Sequence, residues 1–237
     1  MPCKASWHIE SRENFPAALR DINLAVPLRS ERRHKDHVER YCIARLLASP
    51  PSHRLQFPLD LDHRERPDFL LSMPRIRIGI EHTQVVSQNA ASASAIRERG
   101  LGPEVYFHWH AKPGEEILPS KKLIEKIKKD KLSPPWHGDS VERNTADAVL
   151  QCVIEKKEKS IAEGFDRYEQ NWLLMYNNWR GPRCNFRKMV EILTPKLAEQ
   201  DVSSVFDSAF ILSGREMCEI GKRVDFYPVD EAGTKQA

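Results

Sequence analysis

Two apolar runs of strand length, residues 68–73 (DFLLSM) and 76–84 (IRIGIEHTQ), are separated by only Pro74 and Arg75. A two-residue connection joins antiparallel strands, so the pair predicts a β-hairpin with Ile76, Ile78 and Ile80 on one face of its second strand. The rest of the chain has to pack around this unit.

Before the hairpin, residues 31–48 (ERRHKDHVERYCIARLLA) place Val38, Tyr41, Cys42, Arg45 and Leu46 at three-and-four spacing and stop at Pro50-Pro51, which predicts an amphipathic helix with a polar first half. After it, residues 87–99 are an alanine-rich helix ended by Gly100, and residues 104–110 (EVYFHWH) alternate as a strand. Residues 140–163 form a long helix with Ala146, Val149, Leu150, Val153, Ile154 and Ile161 on its inner face. A continuous apolar strand at 171–177, a helix at 186–199 in spite of Pro195, and β segments at 205–212, 216–220 and 224–229 complete the pattern. Strands interleaved with long helices predict an α/β fold with a mixed β-sheet flanked by helices on both faces. The expected organisation is an irregular N-terminal arm at 1–30, one α/β domain at 31–230 with a basic helical insertion at about 113–139, and a loose tail at 231–237.

Composition excludes several classes. The 237 residues are 40% hydrophobic and 30% charged, which is a globular balance rather than a disordered one. No apolar run approaches the roughly 20 residues that span a bilayer, so no membrane anchor is expected. Cys3, Cys42, Cys152, Cys184 and Cys218 are scattered and never form a C-x-x-C pair, which points to free thiols in a reducing, cytoplasmic compartment. A net charge of +3 permits a nucleic-acid partner without arguing for one. There is no Walker A loop, G-x-G-x-x-G, G-x-S-x-G or H-E-x-x-H.

Asp68 opens the first hairpin strand and Glu81 lies near the end of the second, so the two carboxylates can converge at one end of the sheet. Both are flanked by Leu and Ile, where an ionised group is costly without a positive partner. Such a pair suits a hard divalent cation with oxygen ligands. The alternative is that Asp68 caps a turn and Glu81 pairs with an arginine such as Arg77.

Pro67-Asp68 followed by Glu81-His82-Thr83 resembles the PD-(D/E)XK nuclease superfamily, whose motif is Pro-Asp at the start of one strand and Asp/Glu-x-Lys on the next. The resemblance implies a restriction endonuclease-like fold and metal-dependent hydrolysis of a phosphodiester, in DNA ahead of RNA. Asp68 and Glu81 would hold Mg²⁺ or Mn²⁺. Thr83 stands where the family has lysine, so the resemblance requires a lysine relocated to a nearby helix. Lys157, following Leu150 and Val153 at helical spacing, is the first choice, with Lys156 second and Lys159 third. The superfamily often adds a glutamate from the preceding helix to the metal shell, and Glu39 is the best placed, ahead of Glu31. Thr83 and Gln84 are candidates to hydrogen-bond a ligand or position a water.

Two further groups stand out. Lys121, Lys122, Lys126, Lys128, Lys129 and Lys131 crowd one short helix, with Trp136 beyond it. They are candidates to track a phosphate backbone while the Trp stacks on a base, and equally form the solvated face of a helix packed through Leu123, Ile124 and Ile127. His108 and His110 share a strand face, a weak pattern for a transition metal. Three functional classes remain open at this point. They are a metal-dependent nuclease, a catalytically inactive nuclease-like fold used for nucleic-acid binding or protein assembly, and a buried ion network that only stabilises the core. Cutting two strands would call for a homodimer, for which the sequence carries no interface signal.

Overall fold

A computed structural model describes residues 4–28, 31, 33–49, 54–104, 115–129, 136–162, 166–178 and 182–229. Residues 105–110 of the expected strand, with His108 and His110, Lys131, and the tail at 231–237 lie outside the described residues.

Eight strands form one mixed sheet in which sequence order is also spatial order. They are β1 (Ala5–Ile9), β2 (Leu59–His63), β3 (Phe69–Met73), β4 (Ile76–Gln84), β5 (Gln170–Tyr176), β6 (Ser208–Ser213), β7 (Glu216–Ile220) and β8 (Val224–Pro228). β1 to β4 and β6 to β8 are antiparallel meanders, while β4, β5 and β6 run parallel. The described helices are α1 (Phe15–Asp21), α2 (Lys35–Ala48), α3 (Gln88–Arg97), α4 (Ser120–Lys128), α5 (Ser140–Ala162) and α6 (Phe186–Glu199). None is long and apolar enough to cross a membrane, and Cys42, Cys152, Cys184 and Cys218 are free thiols.

The helices divide between the faces for a topological reason. A parallel neighbour requires a crossover, and two crossovers of one hand advancing in one direction put their helices on the same face. α5 and α6 accordingly share a face, where Ala146, Val149, Val153, Met189, Val190 and Leu193 pack on Leu173, Met175 and Ile211. α2 covers the other, with Val38, Cys42, Ile43 and Leu46 against Leu61, Phe69, Ile80, Trp172 and Leu174. β5 is thus buried on both sides, and its unbroken apolar run follows from that. α4 packs on α3 through Leu123 and Ile127, leaving Lys121, Lys122, Lys126, Lys128 and Lys129 exposed. Asn89 ties the approach to α4 onto α3, donating to the Glu116 carbonyl and accepting from the Leu118 amide.

Three expectations need correction. The N-terminal arm is not irregular, because residues 5–9 add strand β1 to the sheet edge and residues 15–21 form α1, whose Phe15 reaches the core. The Pro-, His- and Asp-rich stretch before the hairpin, whose composition predicts a loop, holds β2, where Leu59, Leu61 and His63 point inward and Asp60 and Asp62 outward. Ile161 lies on the exposed side of α5, whose buried stripe runs instead through Glu142, Thr145, Ala146, Val149, Val153 and Ser160.

Glu219 on β7 shows how a buried charge is held at the far edge. Arg54 grips it with both guanidinium nitrogens at 2.7 and 2.9 Å, while the Ser208 and Tyr227 hydroxyls donate at 2.9 and 3.0 Å. Burial pushes its pKa up, and these donors outweigh burial and hold it below its ordinary value. Removing the acceptor leaves three donors unsatisfied. Glu219→Leu is expected to cost about 2 kcal/mol or more and Tyr227→Phe about 1 kcal/mol, read from urea midpoints at constant m-value. Equal midpoints for Glu219→Leu and wild type would show that the network contributes nothing.

Candidate functional site

The site forms where β3 stops and β4 continues. The register pairs Phe69 with Ile80, so the next step of the ladder puts Asp68 opposite Glu81. The β2–β3 connection closes there, with the Arg64 amide donating to the Asp68 carbonyl. β4 therefore runs past its neighbour, and the His82 N–H is taken by the Asp68 carboxylate, Oδ2 at 2.7 Å. This bond fixes Asp68 beside Glu81, and both side chains are buried.

Gly79 clears the approach to this end of β4. A Cβ there would sit 2.6 Å from the Tyr168 ring and 3.3 Å from Pro67, so the missing side chain makes room for the close approach of the ring to the strand. Arg77 stacks over the same ring and reaches Glu169 at 3.6 Å. It is not the partner of Glu81.

Two ammonium groups meet the carboxylates from opposite helix layers. From α5, Lys156 Nζ lies 2.8 Å from Glu81 Oε2 and 3.8 Å from Asp68 Oδ2. From α2, Lys35 Nζ bridges Asp68 Oδ1 at 2.6 Å and Glu39 Oε1 at 2.7 Å. Glu39 is fully buried, and its Oε2 is 2.7 Å from His63 Nε2, with the His63 ring stacked on Phe69. The Glu81 atom Oε1 is buried and accepts no hydrogen bond from the described residues. A cavity of about 30 Å³ beside it, bordered by Ser160 and Gly79, has room for one water.

Charge and burial set the protonation states. Burial would raise Glu39, but the hydrogen bonds from His63 and Lys35 outweigh it and hold the carboxyl at about 2. Glu81 moves the other way, raised by burial and by the neighbouring Asp68 charge against the pull of Lys156. His82 is buried and pushed down to about 4, because an imidazolium there would lose its hydration.

Among the lysines, Lys156 rather than Lys157 lies beside the carboxylates. Consecutive helix positions are about 100° apart, so the two straddle the buried stripe of α5. Lys156 follows the fully buried Val149 and Val153 and leans over β4. Lys157 leans toward α6 and donates to the Gln200 and Asp201 carbonyls at 2.7 and 2.9 Å, satisfying acceptors at the end of that helix. Lys159 is exposed on α5. Glu31 lies away from the cluster, accepting from the Leu28 amide. Thr83 follows Glu81 on the same face of β4, and the Gln84 Oε1 accepts from Asn178 at 2.8 Å. The α4 lysines and Trp136 have no described contact with the carboxylates.

Lys35 and His63 are the members that sequence reasoning missed. Each had a signal. Lys35 is four residues before Glu39 on one helix, and His63 is in phase with the inward Leu59 and Leu61.

The donor set fits a hard cation. Asp68, Glu81 and Glu39 offer carboxylate oxygens and no thiolate, and Glu81 Oε1 has coordination capacity to spare. A second grouping of possible ligand atoms, from Asp36, Glu39 and His63 within 4.8 Å of one another, shares Glu39.

These shifts set how stability responds to acid. A histidine held at about 4 in the fold and near 6.5 unfolded withholds a proton the unfolded chain binds, so stability falls as pH drops from 6.5 to about 4. Glu39, at about 2 folded and 4.5 unfolded, continues the loss from 4.5 downward. Denaturant unfolding at pH 7, 5.5 and 4.5 is expected to show this decline, and a buried but non-titrating His82→Gln to flatten its upper part. A wild type as stable at pH 4.5 as at 7 contradicts the assignment.

No family model, curated protein or solved structure matches the chain. The chemistry of the cluster is therefore argued from its own residues.

Proposed function

We propose that the chain is a metal-dependent nuclease with a restriction endonuclease-like core of the PD-(D/E)XK type, hydrolysing phosphodiesters in DNA in preference to RNA. The observation that carries this reading is the meeting of Asp68, Glu81 and Lys156 at one end of adjacent strands, with Glu39 entering from the preceding helix. The relocated lysine that the Glu-x-Thr sequence requires is then Lys156.

In this reading Asp68, Glu81 and Glu39 hold Mg²⁺ or Mn²⁺. When bound, the ion polarises the phosphate and acidifies a water. Lys156 orients the attacking water or offsets the negative charge that develops on phosphate, which its position between two carboxylates suits. The His82 amide orients the Asp68 carboxylate, and the buried walls of the site strengthen each electrostatic contact. Thr83 is placed to hydrogen-bond a ligand on the same strand face as Glu81, without the charge to replace a lysine.

A second reading has its own observation. Lys35 already neutralises Asp68 and Glu39 at hydrogen-bonding distance, as a purely structural ion network or an inactive binding module would require. Cleavage separates the two. Single-stranded, duplex and branched DNAs are incubated with Mg²⁺, Mn²⁺ or EDTA, using wild type, Asp68→Asn, Glu81→Gln, Lys156→Met and Lys157→Met. Cutting is expected only with metal, reduced by about 10²-fold or more in the first three variants and within a few-fold of wild type in Lys157→Met. Folded wild type that cuts none of these, or Asp68→Asn that cuts normally, rules out the nuclease reading.

A further inference from the structure

We infer that the cleft between the start of α2, the end of β4 and α3 seats a backbone phosphate of the nucleic-acid strand, beside the phosphodiester presented to Asp68 and Glu81. The inference rests on the nuclease reading for its choice of strand. The cleft has a volume of about 250 Å³, and none of its lining residues is acidic.

Its charged groups are donors, and the His34 ring and Ser92 hydroxyl can each donate or accept. Arg33 and Lys35 carry positive charge and no lone pair. Gln84 has its Oε1 engaged by Asn178 at 2.8 Å and by Arg33 at 3.5 Å, so the part of the amide left to a ligand is its NH₂. A pocket that presents a guanidinium, an ammonium and amide hydrogens with no carboxylate is built for an anion. The opposite wall is low. Ala91, Ser92 and Ala95 on α3 keep their side chains short, so a bulky phosphate with its sugar can approach.

Lys35 connects the cleft to the carboxylates. Its ammonium is bonded to Asp68 and Glu39 while its side chain, 57% exposed, also lines the cleft. A cation on those oxygens competes for the place of the ammonium, and the flexible lysine stem can carry the charge into the cleft. Arg33 would then bind a phosphate together with Lys35. The exposed α4 lysines belong to a separate face of the α3–α4 pair and are the natural comparison.

The test is binding of fluorescein-labelled single-stranded and duplex DNA by anisotropy, in EDTA and in Ca²⁺, across a salt series. Arg33→Gln is compared with wild type and with a Lys121→Gln/Lys122→Gln double variant. Because Arg33 is partly buried, Ser92→Glu is added, a change on the exposed wall that places a carboxylate in the cleft. Expected are a three- to tenfold weaker affinity for Arg33→Gln, a salt slope reduced by about one, and a comparable loss for Ser92→Glu. Wild-type affinity and slope in both cleft variants overturn the inference. So does a mononucleotide that competes as well per phosphate as the oligonucleotide, which would make this a small-anion site. Failure of the two readings is distinguishable. Cleft-dependent binding without metal-dependent cutting removes the nuclease reading and leaves the strand site, cutting with unchanged binding in both variants removes the strand site alone, and absence of any DNA binding removes both.

Discussion

Three carboxylates are withdrawn from water at one end of the sheet, and the fold around them is arranged so that each meets positive charge or a hydrogen-bond donor. An isolated buried carboxylate is costly enough to take up a proton instead. Lys35 and Lys156 supply positive charge, one from each helix layer, and His63 and the His82 amide supply the remaining donors. Two ammonium groups stand among three carboxyl groups. One oxygen of Glu81 is bonded to no described residue, so the described contacts do not close the ion network, and the nuclease proposal uses that oxygen for a hard cation.

The location follows from the sheet. β4 is one of the two strands, with β6, at which the topology changes, having an antiparallel partner on one side and a parallel one on the other. β3 ends earlier than β4, which opens the sheet at Asp68, and its carboxylate can be reached from both faces. Only at such a notch can a helix from each layer touch the same residue. Gly79 and Tyr168 close the site from the N-terminal side of β4, and the donor-lined cleft opens beyond its C-terminal end.

Much of this was legible in the residues. The hairpin, α6 and β7 fall where periodicity put them, because their apolar patterns match one burial pattern each. Asp68 and Glu81 were legible as charges in apolar surroundings, and Glu39 through the resemblance to a family that draws a glutamate from the preceding helix. β1 and β2 were not, because LDLDH and ASWHI are short and carry polar residues on the outward face. Their strand character comes from pairing with each other and with β3, which a local window cannot see. The choice between Lys156 and Lys157 was illegible for a related reason. Both flank the buried stripe of α5, and only the positions of β4 and α6 decide which one reaches a carboxylate.

Under the proposed nuclease reading, the same geometry accounts for a threonine at position 83. A lysine at position 83 would share the face and strand of Glu81 and reach the cluster from within the sheet. Lys156 arrives from the helix above, at the end of a stem lying along α5, and places its ammonium between Glu81 and Asp68 without occupying β4 at all. In that reading the requirement is the position of the positive charge relative to the two carboxylates, and α5 supplies it. The cost is that the charge now depends on the packing of α5 against the sheet, so the α5 stripe of Ala146, Val149 and Val153 positions the site as well as filling the core.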